Sequence, residues 1–318
     1  MRIVPFAASL LLAATSALAQ YPTKPIKIIV PFAPGGNVDV TARVIAPALQ
    51  EALGQPVIIE NKPGAAGTIG ADFVVRAPAD GYTLLMGSNS TFSVAPALNP
   101  KNPYNPLKDF APIASIASTP FILVVNPNAP MKTVAELVAR AKPEPGKLTM
   151  ASAGTGSSNH LVGEYFQDLA GVKFTHVPYK GSNPAISDLM GGQVDMHFDQ
   201  VTSAGNQVVA GKLRALLVTS KERAPMLPNV PTAAEAGFPS FGPINVTGLI
   251  APANTPPEIV AALNTAINKV LQQPGVREKY AGVGAVTTGG TPEQFAAYIA
   301  EDLARWTKVV KDANVKVD

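Results

Sequence analysis

Ile26, Ile28, Ile29 and Val30 form a short apolar run that stops at Pro31, and Val38, Ala42, Ile45, Leu49 and Leu53 follow at helical spacing. The first pattern predicts a buried strand and the second predicts one face of a helix. Pro47 falls inside that helix, where its ring removes a backbone hydrogen bond and predicts a kink. Between the two patterns lies Phe32-Ala33-Pro34-Gly35-Gly36-Asn37. A glycine-rich elbow of this kind leaves N–H groups open at the positive end of a helix, a natural seat for an anion. Nothing in the elbow performs chemistry, so holding an anion is favoured over transforming it.

Strand and helix patterns keep alternating. Val57–Glu60 and Tyr82–Met86 read as strands, the latter ending at Gly87-Ser88-Asn89, and Gly64-Ala65-Ala66-Gly67 opens a second helix. Leu148–Ser152 is a further strand. It leads through Ala153-Gly154-Thr155-Gly156-Ser157-Ser158-Asn159-His160 into a helix bearing Leu161, Tyr165, Phe166 and Leu169. This second strand–elbow–helix adds hydroxyls at Thr155, Ser157 and Ser158. Two elbows in two lobes predict a cleft between them. The extended apolar segments Phe121–Val125 and Val246–Ile250 are read as crossings between the lobes. Thr133-x-x-Glu136, Thr255-Pro256-Pro257-Glu258 and Thr291-Pro292-Glu293-Gln294 each place a hydroxyl cap before an acid or amide, marking three helix starts.

The N-terminus changes the setting. Met1-Arg2, an apolar run over Val4–Leu12 and Ala17-Leu18-Ala19 before Gln20 predict a secretory signal peptide over residues 1–19. Its loss lowers the formal charge from the +3 of the whole chain by one. No later stretch is long and apolar enough to span a bilayer. A chain of 318 residues favours two lobes over one core. The absence of cysteine excludes disulfides, thiolate nucleophiles and cysteine-bound zinc. Charged residues make up only 15% and form no basic run, which argues against nucleic acid as a partner.

Sharper chemistry finds little support. Gly154-x-Gly156 has Asn159 where a dinucleotide fingerprint needs a third glycine or alanine, and no acid follows the next strand. The first elbow lacks the Gly-Lys-Ser/Thr ending of a P-loop, and Gly-x-Ser-x-Gly does not occur. Asp195-Met196-His197-Phe198-Asp199 would place imidazole and carboxylates on one strand face, where they could hold zinc or relay protons. The other two histidines, His160 and His176, show no ligand spacing. The favoured reading is a strand with Val194, Met196 and Phe198 toward the core, leaving Asp199 at its end as a ligand contact. Lys180 reads as a solvated turn residue that could neutralise an anion. Tyr179 reads as packing, and Phe32 serves equally well as core or as cleft wall.

Pro31-Phe32-x-x-Gly35-Gly36-x-x-Asp39, Gly64-Ala65-Ala66-Gly67, Asp80-Gly81-Tyr82-Thr83-Leu84-Leu85 and Pro178-Tyr179-Lys180-Gly181 follow one another in order. With Gly192-Gln193-Val194-Asp195, Phe198-Asp199 and Ala251-Pro252-Ala253-Asn254-Thr255-Pro256, they resemble the Bug-type substrate-binding proteins. These are extracytoplasmic receptors of tripartite tricarboxylate transporters, and the resemblance spans the whole mature chain.

The resemblance implies an α/β, two-lobed type II periplasmic-binding-protein fold, a Venus flytrap with its ligand cleft between the lobes. Lobe 1 is expected over 20–121 and 246–318, and lobe 2 over 122–245. Phe32, Gly35, Gly36, Asn37, Val38 and Ser88 would line one side of the cleft, and Ser152, Thr155, Gly156, Ser157, His160 and Asp199 the other. The implied ligand is a small organic carboxylate: a dicarboxylate, an acidic amino acid or an aromatic acid. Transporter membrane subunits are the implied protein partner. No cofactor or metal is expected, and the receptor is expected to be a periplasmic monomer rather than an enzyme. A sensor signalling to a membrane kinase would share the same site, and an exported metal-dependent enzyme is a distant third class. Asn37 replaces a residue that is often small or proline in the family, and His197 replaces one that is commonly apolar. Neither elbow contains arginine, so anion binding would rest on helix N-termini, backbone N–H groups and hydroxyls.

Overall fold

The structure, a computed structural model, describes residues 21–312. The signal peptide expected over residues 1–19 lies outside the described residues. In chain order the strands are β1 (Ile26–Val30), β2 (Val57–Asn61), β3 (Thr83–Ser88), β4 (Phe110–Val125), β5 (Thr149–Ser152), β6 (Thr175–Pro178), β7 (Met196–Gln200), β8 (Arg214–Val218), β9 (Ile244–Pro252) and β10 (Val286–Gly289). The helices are α1 (Asn37–Leu53), α2 (Thr68–Val75), α3 (Ala95–Leu98), α4 (Val134–Ala141), α5 (Ser158–Ala170), α6 (Ser182–Met190), α7 (Val201–Val209), α8 (Pro257–Leu271), α9 (Pro274–Gly282) and α10 (Pro292–Asp312).

The same plan is used twice. In the first half β1 lies parallel between β2 and β3, and α1 links β1 to β2. Ile26, Ile28, Ile29 and Val30 are fully buried, as a central parallel strand covered on both faces requires. Val38, Ala42, Ile45 and Leu49 form the buried side of α1, which runs through Pro47 as one helix and ends at Gly54 in the left-handed conformation. In the second half β5 lies parallel between β6 and β7, and α5 links β5 to β6.

β4 joins the halves. Its residues Phe110–Pro120 pair antiparallel with β9, and Ser115–Ser118 also meet β10. From Phe121 to Val125 it pairs instead with β7 and β8. The change of partners falls between Pro120 and Phe121, so Phe121–Val125 belongs wholly to the second half. β9 pairs with β3 and β4 in the first half. The chain therefore returns just before β9, where the Thr219 hydroxyl accepts from Phe121 N (2.8 Å) and donates to the Pro243 carbonyl (2.7 Å).

Two of the three helix-start signals act as caps. The Thr133 hydroxyl accepts from Glu136 N at 3.1 Å. Thr291 and Gln294 bond reciprocally at 3.2 and 2.9 Å, forming a capping box. Thr255 does not cap α8. Pro256 takes the cap position, and the Thr255 hydroxyl donates to the Pro252 carbonyl at 2.8 Å. The two consecutive prolines delay the helix by one residue, which carries the hydroxyl out of reach.

β9 packs tightly against α10 and β4 at Gly248. Gly248 faces Phe295 of α10, and a Cβ there would run into that ring and come within 2.9 Å of the Ala114 carbonyl oxygen on β4. Gly248→Ala is expected to destabilise the protein by about 1–3 kcal/mol through overpacking, read as a lower urea midpoint with an unchanged slope.

Candidate functional site

The first elbow is held by a buried acid. Gly35 is left-handed (φ 84°), and Gly36 caps α1 without any side-chain hydrogen bond. Asp39 turns its carboxylate back, accepting from Gly35 N at 2.9 Å, Arg43 Nε at 2.8 Å and Asn61 Nδ2 at 2.9 Å. Burial alone would raise the Asp39 pKa, but bonds from Arg43, Gly35 and Asn61 outweigh it and hold the carboxyl below its usual value. Asn61 also donates to the Phe32 carbonyl at 3.0 Å, so one network sets the shape of the turn.

The second elbow carries left-handed glycines at Gly154 (φ 130°) and Gly156 (φ 80°). Ser157 is the N-cap of α5, and its hydroxyl accepts from His160 N at 3.3 Å. Two further helices, α6 after Gly181 and α7 after Gln200, begin without side-chain caps.

These helix starts converge on one small chamber of about 20 Å³. α1 presents Gly36, Asn37 and Val38, α5 presents Ser158 and Asn159, α6 presents Ser182, and Gln200 stands at the start of α7. Ser88 and Ser90 add hydroxyls, and Phe32 and Ala153 add apolar wall. No lining residue carries a charge. The partial positive charge of several helix termini therefore meets in a confined space with no side-chain counter-ion.

Several groups close the chamber from opposite halves. Ser90 Oγ accepts from Ser158 N at 2.8 Å and lies 3.1 Å from Ser158 Oγ, which donates onward to Asn245 Oδ1 at 3.4 Å. Thr202 of α7 donates to Asn37 Oδ1 at 2.5 Å. The carbonyl side of the Asn37 amide is thus occupied, while its buried Nδ2 has no partner. Asn245 Nδ2 is likewise buried and unpartnered.

An outer chamber of about 290 Å³ shares Phe32 with the inner one. Gly64–Gly67 forms one wall, with Ala65 (φ 46°) and Ala66 (φ 54°) in the left-handed region that alanine rarely adopts. Ala153–Thr155 and Pro178–Lys180 form the other, and Lys180 is its only charged lining residue. The Tyr179 hydroxyl donates to Asp188 at 2.7 Å.

Of the residues expected from sequence, Phe32, Gly36, Asn37, Val38 and Ser88 line the inner chamber, and Thr155 lines the outer. The others stand one layer behind. Gly35 shapes its turn, and a Cβ there would press on Asn183 Nδ2 at 3.1 Å. Gly156 donates its N–H to His160 Nδ1 at 3.3 Å, and Ser157 is occupied in capping. Ser152 Oγ bonds His176 Nε2 at 2.6 Å and accepts from Gly154 N at 3.1 Å. His160 stacks on His176 with ring centroids 3.8 Å apart. Asp199 is fully buried and accepts from residues that line the chamber. Asp195 precedes β7 and accepts from Thr149 N and Oγ1 (2.7 and 2.8 Å), away from His197.

Ser90, Asn159, Ser182 and Gln200 were not singled out as site residues by sequence. Ser182 had a usable signal, because Pro178-Tyr179-Lys180-Gly181 is a third strand-to-helix glycine turn. Gln200 had none, since β7 passes directly into α7 with no glycine between them.

The family model described as "Tripartite tricarboxylate transporter family receptor" matches residues 41–315. The chain belongs to this receptor family. Protein BugT of Bordetella pertussis is 40% identical over 313 residues, covering 98% of this chain and 96% of BugT. MatC from Rhodopseudomonas palustris, solved with bound malate, is 38% identical with a TM-score of 0.88, covering 91% of this chain and all of MatC's (100%). An R. palustris protein solved with adipate is 36% identical with a TM-score of 0.90, covering 93% of this chain and 99% of its own. The two halves are those of a mixed α/β, two-lobed periplasmic-binding-protein fold.

In this receptor the stacked histidines make the second elbow sensitive to acid. Burial, together with the neighbouring imidazole, lowers His160 to about 3, and burial with His197 nearby lowers His176 to about 4, from an ordinary 6.5. The unfolded chain takes up these protons once the pH falls below about 6.5, whereas the fold holds both rings neutral. The stability they contribute is whole above that value and is lost as the pH falls toward 4 and then 3. The melting midpoint is expected to fall steadily on acidification from pH 7. His160→Gln should flatten the stability slope by up to about 1.4 kcal/mol per pH unit, measured by chemical denaturation across that range.

Proposed function

We propose that the mature chain is a periplasmic receptor that binds a small organic carboxylate tightly and delivers it to the membrane subunits of a tripartite tricarboxylate transporter. It is exported by the segment 1–19 and acts by binding rather than turnover. The reading rests above all on the inner chamber, where uncapped helix starts converge and no lining side chain is charged.

A chamber of about 20 Å³ has room for one carboxylate head. The rest of the ligand extends past Phe32 into the outer chamber of about 290 Å³. Its glycine and alanine walls leave backbone polar groups for a second acidic end, and Lys180 supplies one positive charge. Malate and adipate, held by the two R. palustris relatives, are dicarboxylates of different length, which supports a linear dicarboxylate here. The lobes, expected over 20–121 with 246–318 and over 122–245 and meeting on β4 between Pro120 and Phe121, would move about β4 and the return strand. Closing makes the Ser90–Ser158 and Asn37–Thr202 bonds and excludes water from the seat.

Isothermal titration of the mature protein against an organic-acid panel tests the reading, with binding of linear dicarboxylates expected. No heat with any carboxylate, together with tight binding of a sugar or a cation, would falsify it. Asn37→Ala should weaken carboxylate binding roughly ten- to a hundredfold, the usual cost of one hydrogen bond to a charged group.

A further inference from the structure

Behind the inner chamber lies a fully buried imidazole–carboxylate pair. His197 and Asp199 are alternate residues of β7, so both project to the same face of the sheet. Both side chains are fully buried, with His197 Nε2 3.6 Å from Asp199 Oδ2. That distance is within ion-pair range but longer than a hydrogen bond, and neither atom has another partner.

Asp199 uses its other oxygen to organise the seat. Oδ1 accepts from Asn159 Nδ2 at 3.0 Å, Ser182 Oγ at 2.9 Å and Gln200 N at 2.9 Å. Those donors belong to the starts of α5, α6 and α7, and all three residues line the inner chamber. An acid is thus a positioning residue directly behind a site built to attract anions.

The other imidazole nitrogen fixes the proton count. His197 Nδ1 lies 2.8 Å from the Ala151 carbonyl oxygen. A carbonyl can only accept, so Nδ1 must carry hydrogen. A neutral ring held this way points a bare Nε2 lone pair at a carboxylate oxygen 3.6 Å away, setting two acceptors against each other. One further proton, on Nε2 or on Oδ2, removes the conflict. We infer from this geometry that His197 and Asp199 hold one proton between them in the folded protein, and that this proton neutralises the acid standing behind the proposed anion seat.

Neighbouring titratable groups leave this assignment in place. Asp188 on α6 is engaged by the Tyr179 hydroxyl, and Asp195 by Thr149. α7 carries no titratable side chain. His160 and Glu164 on α5 face each other at 3.7 Å. His176 on β6 bonds Ser152 Oγ through Nε2 at 2.6 Å. Without the proton, a full negative charge would oppose a bound carboxylate across a poorly screened interior.

Imidazole nitrogen and carboxyl carbon NMR of the ligand-free mature protein tests the proton directly, since the chain has only three histidines to assign. At pH 7 the expected result is either two protonated nitrogens on His197 or a protonated Asp199. Asp199→Asn should convert Nε2 to a bare acceptor, because the new amide donates in place of the shared proton. A bare Nε2 beside an ionised Asp199 in the wild type overturns the inference. A second arm rests on the carboxylate-receptor reading and uses adipate and malate as probes. His197→Phe should weaken their binding at least tenfold, with recovery on adding Asp199→Asn; unchanged affinity in a folded His197→Phe protein also overturns it. Should neither probe bind the wild type, that result bears on the functional reading, and the ligand-free spectra still decide the proton.

Discussion

The inner chamber depends on an electrostatic constraint: several helices begin at one point, and no charged side chain lines the space they share. Each start carries partial positive charge that ordinary proteins dissipate with a capping side chain or water. Here α1, α6 and α7 have no side-chain caps. Where α5 does have one, its first N–H is taken by Ser90 from the opposite half. The turns feeding these helices are therefore built from residues that do not compete for the open N–H groups. That is why glycine occupies the caps of α1 and α6, and why the elbows tolerate so little side-chain volume.

Acids are kept, but one layer back. Asp39 braces the first elbow from behind, and Asp199 ties the starts of three helices together. Asp302 on α10 does the same for the turn after β3, bonding Asn89 Nδ2 at 2.7 Å and the Ser93 hydroxyl, while Asn89 Oδ1 accepts from Val246 N at 2.6 Å. Burial outweighs the bonds to Asp302 and raises its pKa, the reverse of the outcome at Asp39, where Arg43 and the neighbouring amides prevail. In each position an acid braces backbone or side chains close to the chamber without lining it.

The two halves communicate through few connections. β4 belongs to both, Thr219 binds the crossings together, and Trp306 of α10 packs in the same apolar cluster as Phe121, Phe198 and Phe241 of the second half. Apart from these, the cross-chamber bonds are single hydroxyls and amides.

The sequence by itself determined the strands and helices around both elbows, the apolar face of α1 and the absence of arginine at the seat, because these follow from local periodicity, glycine placement and composition. It also marked Phe32, Gly36, Asn37, Val38 and Ser88, whose positions are set within a few residues of a strand end. Tertiary structure decided what lines the chamber in the second half. Ser152, Ser157, His160 and Asp199 carry the right chemistry, but their polar atoms are taken up by His176, by the α5 cap and by neighbouring helix starts. Gln200 and Ser182 reach the chamber because β7 and β6 end beside it, a matter of strand order that neighbouring residues cannot encode. The His197–Asp199 contact lies between: period-two alternation puts both on one face, and only the Ala151 carbonyl on the adjacent strand fixes which nitrogen carries hydrogen.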